Sequence, residues 1–186
     1  MSNPPATLRP FGVRDKVGYM LGNVANDFTF IFASLYLQVF YTDVLGISAG
    51  LVGTMFLLAR IVDAFTDTAM GRICDKTKAT KNGKFRPWLL RSTPMLAVTS
   101  IIFWTVPTMF EGTVMIVVLF LCKIAYEACY TMFNIPMGSL LSAMSTNDAE
   151  RASLSSARGV GSMFGNMIPG LAGPAIVAAF GDRNTT

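Results

Sequence analysis

Apolar residues form five long stretches along the chain, at 17–41, 47–71, 87–107, 113–142 and 152–180. Each is bounded by charged residues, proline or glycine and is long enough to cross a hydrocarbon core, which takes about 20 residues of helix. The first stretch is too long for the core of a signal peptide and has no cleavage site followed by soluble sequence, so we expect it to be retained. The pattern predicts an all-α membrane protein with about five transmembrane helices.

Composition agrees with a membrane protein and argues against an enzyme. Hydrophobic residues make up 52% of the chain and charged residues only 14%, whereas roughly a quarter of the residues of a soluble domain are charged. The sequence has three cysteines, an odd number, and no histidine. A disulfide framework, an imidazole metal site and a histidine base are therefore not expected. No hydrolase, nucleotide-binding or metalloprotease motif is present, so we expect no catalytic residues and no cofactor.

Basic residues concentrate on one side of the predicted helices. They occupy the N-terminal segment 1–16, the polar loop 72–86 and the start of the fifth helix, whereas the opposite connections and the segment 181–186 together carry only Arg183. By the positive-inside rule, the N-terminus and the loop face the cytoplasm of a bacterial cell and the segment 181–186 lies outside the inner membrane. This bias accounts for the net charge of +4 without a nucleic-acid partner.

Three charged side chains fall inside the second predicted helix. Arg60, Asp63 and Asp67 are spaced i, i+3, i+7, which places them on one stripe of the helix. A charge near the bilayer centre costs about 2.5–3.5 kcal/mol, so such groups face the protein interior. One interpretation is charge compensation, in which Arg60 neutralises Asp63 and Asp67 reaches toward the cytoplasmic end. A single arginine leaves one carboxylate unneutralised, however, and Na⁺, Li⁺ or a proton would supply the missing charge.

The fourth predicted helix offers neutral oxygen ligands for such a cation. Thr131 and Asn134 share a face of this helix, and Pro136 leaves the carbonyl of Met132 without its helical donor. Hydroxyl, amide and carbonyl oxygens suit a hard monovalent cation. The alternative is that Thr131 and Asn134 only form interhelical hydrogen bonds. Their assignment to a cation site therefore depends on the carboxylates of the second helix facing them.

Two more charged residues, Lys123 and Glu127, lie in the same helix at i, i+4 spacing. This spacing predicts an ion pair within the helix, in which each residue compensates the other. In the alternative, Lys123 is free to meet the carboxylate of a hexuronide substrate.

Several segments resemble the glycoside–pentoside–hexuronide:cation symporters of the major facilitator superfamily. The most specific is "RIVDAFTDTAMGRICDKTKATKNGKFRPW" at 60–88, and "GNVANDFTF" at 22–30, "YTMFNIPMGSL" at 130–140 and "ERASLSSARGVGS" at 150–162 follow the same family pattern. The resemblance covers nearly the whole chain. It implies the N-terminal helical bundle of a transporter whose sixth helix and C-terminal half are absent here. Because alternating access needs two bundles around one site, we expect the chain alone not to transport.

The resemblance also implies roles for individual residues. The residues expected to bind the coupling cation are Asp63, Asp67, Thr131 and Asn134. The residues expected to bind sugar are Asn26, Asp27, Tyr130, Asn134 and Arg158. In the cytoplasmic loop, Asp75, Lys84 and Arg86 are expected to form conformation-dependent ion pairs, or to serve only the positive-inside bias and bind anionic headgroups. Neither the sugar nor the choice among Na⁺, Li⁺ and H⁺ is implied.

Two functions are consistent with these observations. The first is part of a secondary active sugar:cation symporter. The alternative is a non-transporting membrane module that assembles with itself or a partner, or that senses sugar. Such a module needs a small-residue interface, for which Gly161 and Gly165 form a GxxxG pattern, although close packing within a transporter bundle explains the same glycines.

Overall fold

The structure, a computed structural model, describes residues 11–80 and 83–181, with side chains as far as residue 175. Over this range it contains five long α-helices: α1 (Val13–Val39), α2 (Ala49–Lys76), α3 (Arg86–Thr105), α4 (Gly112–Met144) and α5 (Asp148–Gly181). A π-helical turn, Phe40–Val44, follows α1, and a 3₁₀ turn, Val106–Met109, follows α3. The predicted all-α architecture of five helices is confirmed. Arg183 and parts of the segments 1–16, 72–86 and 181–186 lie outside the described residues.

The helices α1 and α5 begin four residues before their predicted starts because polar side chains cap them. At α1, the carboxylate of Asp15 accepts a hydrogen bond from the backbone N–H of Gly12 at 3.0 Å. At α5, the side-chain oxygen of Asn147 accepts one from the N–H of Ala149 at 2.9 Å. Such caps satisfy N–H groups that have no partner inside the helix. Hydropathy does not detect them, since the capping residues are polar and lie outside the apolar stretches.

The loop predicted at 72–86 is shorter in the structure, because α2 continues to Lys76 and α3 begins at Arg86. Two side-chain contacts fold it back on the helix ends. Lys84 Nζ donates a hydrogen bond to the carbonyl of Asp75 at 3.2 Å, and Trp88 Nε1 donates one to Thr77 Oγ1 at 3.3 Å. The charged residues at 72–76 therefore belong to the last turn of α2 and not to a loop.

The described chain divides into two compact units, 30–140 and the residues of 11–29 with 141–181. The core of the first is built mainly from large apolar side chains of α1 to α4 and of the π-helical turn, including Tyr41, Val52, Phe103, Leu119 and Tyr126. The rings of Phe103 and Tyr126 stack at 4.9 Å between centroids. Other large apolar side chains of this unit are exposed, for example Leu57 at 64% and Phe65 at 74%. Such an exposed apolar surface suits a helix in contact with lipid.

In the second unit, α1 and α5 pack closely through two glycines. A Cβ atom placed on Gly161 would lie 2.7 Å from the carbonyl oxygen of Met20. One placed on Gly165 would lie 2.9 Å from Asp27 Cβ and 3.0 Å from the carbonyl oxygen of Val24. Both distances are too short for any other residue without movement of the backbone. The GxxxG pattern of the sequence is therefore used between two helices of this chain.

Three segments are long and apolar enough to span a membrane by these properties alone, among the residues that the structure describes: Ala49–Lys76, Arg86–Met109 and Gly112–Met144. The helices α1 and α5 have sufficient length, with 27 and 34 residues. On α1, the buried Asn23 and Asn26 and the half-buried Asp27 lie on inward positions. Polar inward faces are typical of helices that line a polar pathway.

Candidate functional site

The two carboxylates of α2 and the hydroxyl of α4 come together in the unit 30–140. Thr131 Oγ1 donates a hydrogen bond to Asp67 Oδ1 at 2.8 Å, across 64 positions of sequence. Thr131 is buried, Asp63 is half-buried and Asp67 is exposed. The hydrogen bond keeps the exposed carboxylate of Asp67 directed at α4. Asp63 and Asp67 of α2 and Thr131 of α4 therefore lie close together between the two helices.

A cavity of about 270 Å³ lies at this position. Its lining consists of charged, hydroxyl, amide and aromatic side chains from α1, α2 and α4: Phe30, Arg60, Asp63, Asp67, Glu127, Tyr130, Thr131 and Asn134. All four residues expected to bind the cation are among them. The stripe on α2 and the face of α4 on which Thr131 and Asn134 lie therefore meet at one cavity.

Arg60 compensates this acidic cavity only in part. Its Nη1 lies 3.6 Å from Asp63 Oδ2, with the arginine side chain 64% exposed and the aspartate side chain 16% exposed. The guanidinium also lies over the ring of Phe30, 5.8 Å from the centroid. An exposed arginine at this distance makes a weak ion pair. Asp63 thus has a cationic neighbour that does not neutralise it fully, and Asp67 has no ion pair within 4.0 Å among the described residues.

Lys123 and Glu127 form the ion pair that their spacing indicates. Lys123 Nζ lies 2.5 Å from Glu127 Oε1 and 4.7 Å from the centroid of the Phe56 ring, and the lysine is buried. Glu127 Oε2 is also buried and has no hydrogen-bond partner among the described residues. The sequence does not predict that this pair lies near Asp63, because an i, i+4 ion pair can form within one helix whatever packs against that helix. Glu127 lines the same cavity as Asp63 and Asp67.

A second cavity of about 220 Å³ shares Phe30, Arg60, Glu127 and Tyr130 with the first. Its remaining walls are mostly aromatic and aliphatic, with Phe56, Phe103, Tyr126 and Leu37 among them. The rings of Phe30 and Tyr130 stack at 5.3 Å between centroids and 25° between planes. Aromatic faces next to charged groups offer both an apolar surface and hydrogen-bonding partners to a ligand. Tyr130, expected to bind sugar, lies at the junction of both cavities.

Of the other residues expected to bind sugar, Asn134 lines the larger cavity, and Asn26, Asp27 and Arg158 belong to the unit of 11–29 and 141–181. Asn26 is buried, and its Nδ2 donates a hydrogen bond to Asp27 Oδ1 at 3.1 Å. Asp27 lies where Gly165 brings α5 against α1. Arg158 is half-buried on α5, N-terminal to this contact. The carboxylate of Asp27 thus accepts a hydrogen bond from the Asn26 amide, and its Cβ lies against Gly165 of α5.

The donor set suits a monovalent cation. Among the described residues, no group of three or more histidine, cysteine, aspartate or glutamate side chains could hold a metal ion together. Two carboxylates with a hydroxyl and an amide oxygen are ligands that a hard cation accepts, but they lack the higher carboxylate count of a typical protein Ca²⁺ site. The lining of the cavity thus includes oxygen ligands of the kinds that a hard monovalent cation accepts.

Known proteins with similar sequences are transporters. The glucuronide carrier protein homolog of Escherichia coli strain K12 is 43% identical over 148 residues, which are 79% of this chain and 32% of that protein. The isoprimeverose transporter of Lactiplantibacillus pentosus is 39% identical over 173 residues, 92% of this chain and 36% of that protein. A putative glycoside/cation symporter of Escherichia coli strain K12 is 35% identical over 146 residues, 78% of this chain and 31% of that protein.

The chain spans about a third of the length of these curated relatives. The family described as MFS/sugar transport protein matches residues 18–186, nearly the whole chain. These findings confirm the resemblance to the glycoside–pentoside–hexuronide:cation symporters that the segments at 22–30, 60–88, 130–140 and 150–162 carry. The chain is a multi-pass membrane protein and belongs to the sugar-transport family of the major facilitator superfamily.

Proposed function

We propose that this chain forms the N-terminal helices of a secondary active transporter that couples the movement of a sugar to a monovalent cation by alternating access. The observation that carries the proposal is the hydrogen bond from Thr131 Oγ1 to Asp67 Oδ1 at 2.8 Å, which draws a membrane-embedded carboxylate to a hydroxyl on another helix. Charged groups inside a membrane are costly to retain, and they are typical of ion pathways.

Asp63 and Asp67 bind the coupling cation, with the oxygens of Thr131 and Asn134 completing its shell. The Thr131 hydroxyl oxygen retains lone pairs while its proton is donated to Asp67, so it can do both. Support comes from the shared cavity and from the incomplete compensation by Arg60. The same site can take Na⁺, Li⁺ or H⁺, because each supplies one positive charge to the carboxylates.

The sugar is bound by Asp27, Tyr130, Asn134 and Arg158, with Asn26 orienting Asp27. A carboxylate accepts hydrogen bonds from paired hydroxyls and a guanidinium donates several, which suits the edge of a pyranose ring. The names of the relatives, a glucuronide carrier homolog and an isoprimeverose transporter, favour a glycoside as substrate.

The N-terminus and the loop between α2 and α3 face the cytoplasm of a bacterial inner membrane. The basic residues around this loop support this orientation. Asp75, Lys84 and Arg86 lie there, and in the present conformation Lys84 contacts the backbone carbonyl of Asp75. We assign these three residues to ion pairs that form in another conformation of the transport cycle.

A non-transporting module is the second candidate, and the glycines of α5 argue against it. Gly161 and Gly165 pack against backbone and Cβ atoms of α1, so the small-residue face that self-assembly would need is used within the chain.

Uptake measurements test the proposal in a full-length transporter that contains this chain. Membrane vesicles that contain the transporter are given one sugar at a time under a Na⁺, Li⁺ or pH gradient. The sugars are isoprimeverose, methyl β-D-glucuronide, methyl β-D-galactoside and methyl β-D-xyloside. We expect uptake of at least one sugar to be stimulated by a cation, and we expect Asp63→Asn and Asp67→Asn to remove the stimulation. Asp43→Asn, which changes an exposed aspartate outside both cavities, is the matched control. Stimulation that survives in both cavity variants contradicts the cation assignment.

A further inference from the structure

The two adjoining cavities are lined by charged side chains besides those of Asp63 and Asp67, the two carboxylates of the proposed cation site. Their linings include three carboxylates, of Asp63, Asp67 and Glu127, and two cationic groups, of Arg60 and Lys123. With all five ionised, one net negative charge remains. Neutralising one carboxylate would therefore bring the net charge of the lining to zero, and neutralising one cationic group would double the net negative charge.

Glu127 occupies the position between the two cavities. It lines both of them, whereas Asp63 and Asp67 line only the larger and Lys123 only the smaller. On α4 it lies one turn before Thr131, the partner of Asp67. Glu127 and Asp63 line the same cavity, and Lys123 is paired with Glu127. The pair is thus an electrostatic neighbour of the cation site.

Lys123 does not cancel the charge of Glu127 completely. It holds one carboxylate oxygen, at 2.5 Å, and the other oxygen is buried with no hydrogen-bond partner among the described residues. In surroundings of low polarity, charges interact over longer distances than in water, since less solvent screens them. The negative end of the pair lines the cavity of Asp63, whereas the positive end lines only the adjoining cavity. Each end therefore affects the carboxylates of α2 separately.

We infer that the Lys123–Glu127 pair sets the cation affinity of the site formed by Asp63 and Asp67. Glu127 strengthens cation binding through its negative charge, and Lys123 weakens it through its positive charge. Both are positioning residues that act on the site from outside, since no group of three acidic side chains that could hold an ion together occurs in the described residues. The inference rests on the proposed function, because it assumes a cation at Asp63 and Asp67.

Single neutral substitutions give effects of opposite sign. Glu127→Gln lowers the negative charge of the site and exposes it to the unpaired lysine, so the cation concentration for half-maximal stimulation of uptake rises. Lys123→Gln leaves Glu127 unpaired, so this concentration falls. A unit charge about 10 Å away, in surroundings with an effective dielectric constant of about 20, changes affinity by about tenfold, and we expect shifts of about fivefold or more.

The double variant Lys123→Gln with Glu127→Gln separates charge from packing. It restores the original net charge, and we expect its half-maximal cation concentration to lie within about twofold of the original. If the pair served only to hold α4 in place, all three variants would shift in the same direction, with the double variant impaired as well. A common direction of shift, or no shift in either single variant, overturns the inference.

A charge-swapped variant covers the possibility that a single substitution prevents folding. Lys123→Glu with Glu127→Lys keeps an ion pair at the same spacing but places the positive end at position 127, which lines the cavity of Asp63. We expect a higher half-maximal cation concentration, and an unchanged value overturns the inference. Asp63→Asn and Asp67→Asn are measured beside it. If they keep cation stimulation, the proposed function fails. If they lose it while the pair variants do not shift, only the inference fails.

Discussion

The close packing of α5 against α1 predicts how much stability is lost when a glycine of this contact is replaced by alanine. At Gly161 an added Cβ would lie 2.7 Å from the carbonyl oxygen of Met20, whereas ordinary contacts begin at 3.4 Å. The backbones would have to separate by at least about 0.7 Å, with loss of dispersion contacts along the interface. Inserting a methyl group into a packed site costs about 1–3 kcal/mol. A flexible side chain could absorb the clash more cheaply, but here the obstacle is backbone.

The same helix supplies matched controls for this prediction. Gly159 and Gly170 lie on α5, and an added Cβ meets nothing within 4 Å at either position. Alanine is a better helix former than glycine by about 1 kcal/mol, so Gly159→Ala and Gly170→Ala should be neutral or stabilising. Since this gain also applies at Gly161 and Gly165, the two pairs of variants should differ by about 1–3 kcal/mol.

The free energy of unfolding in mixed micelles, measured by titration with a denaturing detergent, gives this difference. We expect Gly161→Ala and Gly165→Ala to be less stable than both controls. Gly165→Ala should also weaken sugar binding, since the added Cβ would lie 2.9 Å from Asp27 Cβ, while cation stimulation through Asp63 and Asp67 is retained. Equal stability of all four alanine variants would refute the close packing of α1 and α5.

Three further predictions concern single contacts. Thr131→Val should raise the half-maximal cation concentration by about tenfold, because a hydrogen bond to a charged group contributes about 1.5–3 kcal/mol, and Thr131→Ser should retain the wild-type value in the same uptake assay. Asn147→Ala should destabilise α5 by about 0.5–2 kcal/mol through loss of its cap, with Asn147→Asp unaffected, as the detergent titration would measure. After replacement of the native cysteines by serine, Lys78→Cys should react with an impermeant maleimide only from the cytoplasmic face and Thr108→Cys only from the opposite face. The reverse labelling would contradict the proposed orientation.

The helices and the acidic stripe could be predicted because their signals are local. Long apolar stretches indicate membrane helices whatever they pack against. The spacing of Arg60, Asp63 and Asp67 fixes their common face through helix geometry alone, and the energetic cost of intramembrane charge fixes which way that face points. Whether the carboxylates face Thr131 could not be predicted in this way, because the spacing of residues within one helix does not indicate which helix lies opposite; the hydrogen bond between Thr131 and Asp67 is seen only in the structure.

Helix ends were less predictable, since they depend on side-chain caps and loop contacts. The hydrogen bonds at Gly12 and Ala149 extend α1 and α5 beyond their apolar stretches. The contact between Trp88 and Thr77 joins the end of α2 to the start of α3. Hydropathy measures only how apolar a segment is and does not include such contacts. The loop predicted at 72–86 is therefore longer than the loop between α2 and α3 in the structure.

The role of Glu127 could not be read from the sequence because one local explanation was already sufficient. A lysine four residues before a glutamate satisfies both charges within the helix, and nothing in that spacing indicates what lies opposite. Only the packing of α4 against α2 shows that the pair borders the cavity of Asp63 and Asp67. Charge neutrality within a pair does not remove its field at a short distance in a weakly screened interior. An ion pair that stabilises one helix can therefore also regulate an ion site on the next helix, and opposite shifts on neutralising its two ends would distinguish this second role.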